Sequence, residues 1–245
     1  MENATETLIQ SWKKCPQDIP FCLPEDNLKK ENYYDYQGFK GLLSEIEKGE
    51  LDRKKFHVSL VPKPYIGDIK NAKIYILMLN PGFIQMDIKS EEMDKDLKEA
   101  FIKNLHQDFT GVEYPLVFLD PRFQYHGGGM YWLKRLKPLI EKLQEKNDNY
   151  IENLKLLAKN ICIVQTVPYH SIEFDSSIKD LKSTTLITNT IKELTQKKDK
   201  LFIVIRGKEI WKLALSTNVK ECLNRAASIK NLTEVIIDCL VHSKI

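Results

Sequence analysis

The chain predicts an α/β fold with helices on both faces of a sheet, and three observations carry that prediction. Short apolar runs at 74–79, 161–167 and 201–205 have the length and β-branched content of buried strands. Between them lie stretches whose apolar residues recur every three or four positions, the spacing of amphipathic helices. Their alternation along the chain implies a three-layer α/β/α arrangement. At 245 residues the chain is long enough to bury a substantial core, and we read 1–245 as a single domain.

Residues 1–60 are polar and aromatic-rich, with KKENYYDYQGF and an amphipathic piece around 39–46. They read as an N-terminal helical subregion packed on the core. Residues 86–108 are charged, with Met93, Leu97, Phe101 and Leu105 at helical spacing, which predicts a surface helix. Residues 111–130 read as a loop-rich passage ending in Gly127, Gly128 and Gly129. Helical periodicity returns over 131–143, where Tyr131 and Trp132 read as core, and continues at 150–159. Further helices are expected over 183–195, 208–222 and 232–241. Neither an internal repeat nor a low-complexity segment is present.

Composition excludes several classes. Lys and Arg number 37 against 34 Asp and Glu, a formal charge of +3, so net charge barely favours nucleic acid. Five cysteines (Cys15, Cys22, Cys162, Cys222 and Cys239) form no CxxC pair, and their odd count gives no disulfide framework. Cys162 and Cys239 lie in apolar runs and are expected to be buried. Cys and His spacings suit neither a zinc site nor an iron–sulfur cluster, so no metal and no cofactor are expected. No secretory signal pattern and no bilayer-length apolar run occur, which points to a cytoplasmic protein without a membrane partner; a monomer is expected.

The 74–79 run stops at Asn80-Pro81-Gly82, and Pro62-Lys63-Pro64-Tyr65-Ile66-Gly67-Asp68 leads into it. Taken alone, the tripeptide reads first as a turn, because Asn, Pro and Gly each favour turns for local backbone reasons. The whole pattern, PxPYxGDxxxAKIxILxLNPG, resembles the opening motif of the uracil-DNA glycosylase superfamily. In its single-strand-selective and mismatch-specific branches an Asn-Pro-Gly follows the first core strand. The resemblance continues in order through VFLDP (117–121), IVQTVPYHS (163–171), FIVIRG (202–207) and NRAASIKNL (224–232). It covers most of the chain from residue 62 onward, and its order and spacing carry it more than any single motif.

The resemblance implies a central, mostly parallel four-stranded sheet and a monofunctional glycosylase acting on DNA. Such an enzyme flips a base out of the stack and hydrolyses its C1′–N bond, leaving an abasic site. Asn80 matches the residue that positions the attacking water. Its amide can orient water but cannot usefully take its proton. Gly82, followed by Phe83, stands where the double-strand uracil enzymes carry a pocket-blocking Tyr. Phe118 matches the base-stacking Phe, although an aromatic in LVFLD also suits a core. Gln165 aligns with the Asn that reads the uracil edge.

Other positions leave two readings open. His170, in VPYHS, could polarise the leaving base or contact phosphate, or be structural. The late His-Pro-Ser motif is replaced by Asn224-Arg225-Ala226-Ala227-Ser228, which lacks the histidine. Arg225 is a candidate phosphate clamp or wedge, or an ordinary surface arginine. Gly127, Gly128 and Gly129 offer free N–H groups suited to phosphate, or form a flexible connector. Arg122 joins them as a DNA-binding candidate, and Asp120, Arg122 and His126 are candidates to line the same cleft.

Three departures point away from plain uracil: the open Gly82 wall, Gln165 in place of Asn, and the missing late histidine. Together they suggest room for a substituted base, such as glucosylated hydroxymethylcytosine in phage DNA. That would make the chain similar to the bacteriophage-inhibiting DNA glycosylases of the superfamily. A uracil-excising repair enzyme and a non-catalytic module that binds modified DNA are the alternatives. A nucleotide hydrolase is disfavoured by the missing Gly-rich phosphate fingerprint.

Overall fold

The apolar runs form strands that are buried at every position. These are β4 (Ile74–Met78), β5 (Ile161–Gln165) and β6 (Leu201–Val204). Successive side chains on a strand point to opposite faces, so both faces of the sheet are covered there. The computed structural model describes residues 3–176, 180–216, 218–221 and 233–242. In it the sheet has five strands, in the order β3 (Tyr65–Ile66), β5, β4, β6 and β7 (Val219–Glu221). β4 pairs in parallel with β5 and β6, and β6 with β7, while β3 runs antiparallel to β5 at one edge.

The chain thus winds from β4 out to β5, then crosses back over β4 to β6 and on to β7. In chain order the parallel strands lie second, first, third, fourth. Such an order has a topological switch point between its first and third strands, and the crevice beyond their carboxyl ends is the usual ligand site. Here that crevice lies between the ends of β4 and β6, and Asn80 is two residues past the end of β4.

The sheet therefore has one strand more than the expected four, because the Pro-flanked lead-in to β4 contributes the antiparallel edge. Residues 208–222 are not one helix. A single turn, α8 (Lys208–Trp211), ends where Lys212 takes a left-handed conformation with φ 48°, and 219–221 is strand β7. Apolar Ile210, Trp211, Leu213 and Leu215 mimic a helical stripe, but 219–221 pairs in parallel with β6 instead. The expected surface helix over 86–108 is two: α3 (Gln85–Met93) and α4 (Lys95–His106). Between them Asp94, in an extended conformation, caps α4 by accepting the Leu97 N–H.

The triple glycine is not a connector. It opens α5 (Gly127–Gln144), with His126 as the cap. α6 (Tyr150–Asn160), α7 (Lys182–Leu194) and α9 (Thr233–His242) follow close to the expected spans. The N-terminal subregion is not purely helical. Besides α1 (Ala4–Trp12) and α2 (Gly38–Glu47) it holds a parallel ladder of β1 (Tyr33–Tyr34) and β2 (Phe56–His57). Leu8, Ile9 and Trp12 enter the same apolar core as the sheet, with α1 packed on α7 and α4. Cys162 is fully buried, whereas Cys239 is half-buried. None of the helices in the described residues is long and apolar enough to cross a membrane.

Candidate functional site

Beyond the strand ends, 78–81 and 166–171 stay laced together. Thr166 N–H donates to the Met78 carbonyl at 3.3 Å, Val167 N–H to Leu79 at 2.8 Å, and Ser171 N–H to Pro81 at 3.3 Å. This pairing holds the Asn-Pro-Gly turn against the segment that carries His170. Asn80 Nδ2 donates to the Pro81 carbonyl at 3.0 Å and to Ser171 Oγ at 2.8 Å. The Ser171 hydroxyl spends its proton on the Glu173 carbonyl at 2.7 Å, so its oxygen must accept from Asn80. Two acceptors therefore fix the orientation of the Asn80 amide and leave Oδ1 without a donor among the described residues.

Asn80 lines a cavity of about 350 Å³, a size that suits a small organic ligand. Gly82, Phe83, Phe118, Gln165 and His170 line the same cavity. These residues span ninety positions of sequence, and all of them were candidates on sequence grounds. Gly82 is exposed, and a Cβ there would meet nothing within 4 Å, so the wall is open at this point. Phe83 has one face committed, stacked on the His57 ring at 3.5 Å. Phe118 is buried and lies nearly parallel to His126, with centroids 6.2 Å apart. Gln165, only 7 % exposed, has an Oε1 with no hydrogen-bond partner among the described residues.

His170 has both ring nitrogens occupied. Nδ1 lies 2.7 Å from the Gly82 carbonyl, which can only accept, so Nδ1 carries the proton. Nε2 accepts from Lys63 Nζ at 2.9 Å. Burial first, and then the Lys63 charge, hold its pKa well below the ordinary value, so the ring is neutral. It has no free proton to give a ligand, and its geometry is that of a brace for the Gly82 turn. Lys63 is 2 % exposed, pairs with buried Glu91 at 3.0 Å and sits 4.1 Å above the Phe101 ring.

A second wall comes from the starts of α3 and α5. Asp87 Oδ2 accepts the Ile84 N–H at 2.9 Å, capping α3, and Oδ1 lies 3.3 Å from His126 Nε2. That contact is no ion pair, because burial holds His126 neutral with a pKa pushed down to about 3. Burial likewise pushes the Asp87 carboxyl up to about 6. Gly127 and Gly128 line the cavity, and Gly128 N–H donates to His126 Nδ1 at 3.0 Å. A Cβ on Gly128 would overlap the Phe118 ring, which explains glycine at this point of the helix. Gly129 packs on the backbone of Phe123 and Gln124 and does not line the cavity.

Several expected residues fall elsewhere. Arg122 is bound to Asp120, with Nη2–Oδ2 at 2.7 Å, and the two line a separate surface depression with Lys103 and Tyr114. Of the trio Asp120, Arg122 and His126, only His126 reaches the cavity. Arg225 lies outside the described residues. Tyr131 and Trp132, read as core, line the cavity as well as packing inward. Sequence reasoning gave no role to Lys63, Asp87, Glu91 or Arg206. Lys63 did carry a signal, as a lone charge in the apolar stretch 58–66, whereas Asp87 looks like any solvated helix residue. Arg206, just beyond β6, is exposed and lines the cavity without an ion pair among the described residues. Among those residues no cluster of His, Cys, Asp and Glu is arranged to hold a metal ion.

A scan against models of protein families, and searches of curated proteins and of solved structures, find no match to this chain.

Proposed function

We propose that this chain is a monofunctional DNA glycosylase with a uracil-DNA glycosylase-like sheet. On this reading it excises a substituted base, of which glucosylated hydroxymethylcytosine in phage DNA is the leading candidate. One observation carries the proposal: Asn80, Gly82, Phe83, Phe118, Gln165 and His170 converge on a single cavity beyond the carboxyl ends of the parallel strands. All six were named from three motifs, NPGF, VFLDP and IVQTVPYHS, and the fold brings those motifs to one cavity.

In the reaction, Asn80 Oδ1 accepts a hydrogen bond from one water and so aims the lone pair of the water oxygen at C1′ of the flipped nucleotide. The water oxygen bonds to C1′ as the C1′–N bond breaks, and that bond's electron pair leaves with the base. The water's proton ends on the departing base nitrogen, so the products are a free base and an abasic sugar. Phe118 supplies a stacking surface and Gln165 reads the base edge. The α5 start, the positive end of its helix dipole, favours charge building on the leaving base. Arg206, exposed at the end of β6, is placed to meet a phosphate. The open wall at Gly82 gives room for the substituent.

The test is release of free base, with alkali-sensitive strand cleavage, from DNA carrying uracil, hydroxymethylcytosine or its glucosylated form. Excision from the hypermodified DNA above that from uracil DNA is expected. Better activity on uracil, with phage DNA untouched, would return the chain to ordinary repair. Tight binding with no base released from any member of the panel would make it a binding module.

A further inference from the structure

We propose that Asp87 and His126 form a hydroxyl-binding subsite in the wall built by α3 and α5. The cavity would then prefer a base whose substituent carries a hydroxyl over one with a bare alkyl group. This rests on the reading that the cavity takes a nucleobase.

His126 Nδ1 accepts the Gly128 N–H, so the single proton of the neutral ring is on Nε2. Nε2 is buried and has no hydrogen-bond partner among the described residues, although Asp87 Oδ1 lies only 3.3 Å away. The two atoms are close but not aligned for a bond with each other. Capping α3 occupies only Oδ2 of Asp87, so Oδ1 is not needed for the fold of that helix. Both residues are nearly inaccessible, at 5 % and 2 % exposure, yet both line the cavity.

A donor and an acceptor side by side select a group that accepts from one and donates to the other. A hydroxyl does both through a single oxygen. An ammonium can only donate, and an unprotonated phosphate can only accept and would meet the carboxylate's charge. The displaced acid and base strengths fit this role, since His126 stays neutral at physiological pH and Asp87 is largely ionised there. Gln165 Oε1 is a second unpaired atom, contributed from the strand end. A ligand that donates to Gln165 with its ring edge and places a substituent hydroxyl at the Asp87–His126 wall satisfies both.

The experiment compares binding of free 5-hydroxymethylcytosine and free 5-methylcytosine to the full chain by calorimetry. The hydroxylated base should bind at least about tenfold tighter, because a site built for a hydroxyl strands its own polar groups when the ligand lacks one. In Asp87→Asn, the amide must keep its oxygen on the Ile84 N–H, which turns its NH2 toward His126. The acceptor is lost and the ratio of the two affinities should fall to near one. His126→Phe keeps a ring against Phe118 but removes the donor, and should do the same. Reading a ratio within each protein cancels any general loss of binding, and the melting temperature checks the fold. Equal affinities in the wild type, binding of neither base, or a preference that survives both substitutions would overturn the subsite. Base release from DNA with no hydroxyl preference would sink the subsite alone. A hydroxyl preference with no base released would sink the glycosylase reading and leave the subsite standing.

Discussion

At the scale of single residues, the cavity is built by charges and amides whose partners leave them little freedom. The Asn80 amide is turned by Ser171 and Pro81, and His170 is held between Gly82 and Lys63. Lys63 in turn depends on Glu91, and both are almost wholly buried. Removing one partner of a buried pair costs about 3–5 kcal/mol, because an uncompensated charge stays behind. Lys63→Met should therefore destabilise the fold by that amount in urea denaturation, and Lys63→Met with Glu91→Gln should recover much of it. A loss below about 1 kcal/mol would mean that water reaches Glu91 and screens it. Asn80 was legible in sequence because a strand end, a turn and a motif coincide there. Asp87 was not, because burial of one charged residue in a charged helix depends on what packs over it.

At the scale of elements, two glycines of the cavity differ in what they permit. Gly128 lies in the first turn of α5 under the Phe118 ring, and Gly82 faces open space with an ordinary backbone conformation. Gly128→Ala must push Phe118 aside, an overpacking that costs about 1–3 kcal/mol although alanine is the better helix former. Gly82→Ala should leave stability within about 0.5 kcal/mol. Thermal melts of the two variants check this, and equal effects would contradict the packing described. The central strands and most helices were legible because length and periodicity fix them locally. β3 and β7 were not: the first is two residues between turn signals, and the second competes with a stretch of helical spacing. Its strand character comes from pairing with β6, which no local pattern encodes. The start of α5 was hidden for a related reason, since three glycines suit a helix only where neighbours crowd out every Cβ.

At the scale of the whole molecule, burial of ionisable groups sets the response to acid. His57 and His126 have pKa values pushed down to about 3 by burial, and that of His170 is held well below its ordinary value. The unfolded chain protonates these rings near pH 6.5, whereas the folded one does not, so their contribution is complete above that pH and is lost as pH falls toward 3. Asp87 acts oppositely, holding a proton in the folded state between its ordinary 3.8 and about 6. Three histidines against one carboxyl leave a net uptake of about two protons on unfolding from this cluster. Urea midpoints should fall steadily from pH 6.5 to 4, and Asp87→Asn should steepen the fall between 6 and 4. A midpoint flat across that range would contradict the buried, neutral histidines.

The proposed hydrolysis rests most on Asn80. The direct measurement is single-turnover formation of abasic sites on the best substrate by wild type and Asn80→Ala, with DNA affinity measured alongside. The variant should fold and bind DNA nearly as the wild type does, while its rate falls by about two orders of magnitude or more. Undiminished base excision by Asn80→Ala would remove Asn80 from the reaction and, with it, the assignment of this cavity as the site of hydrolysis.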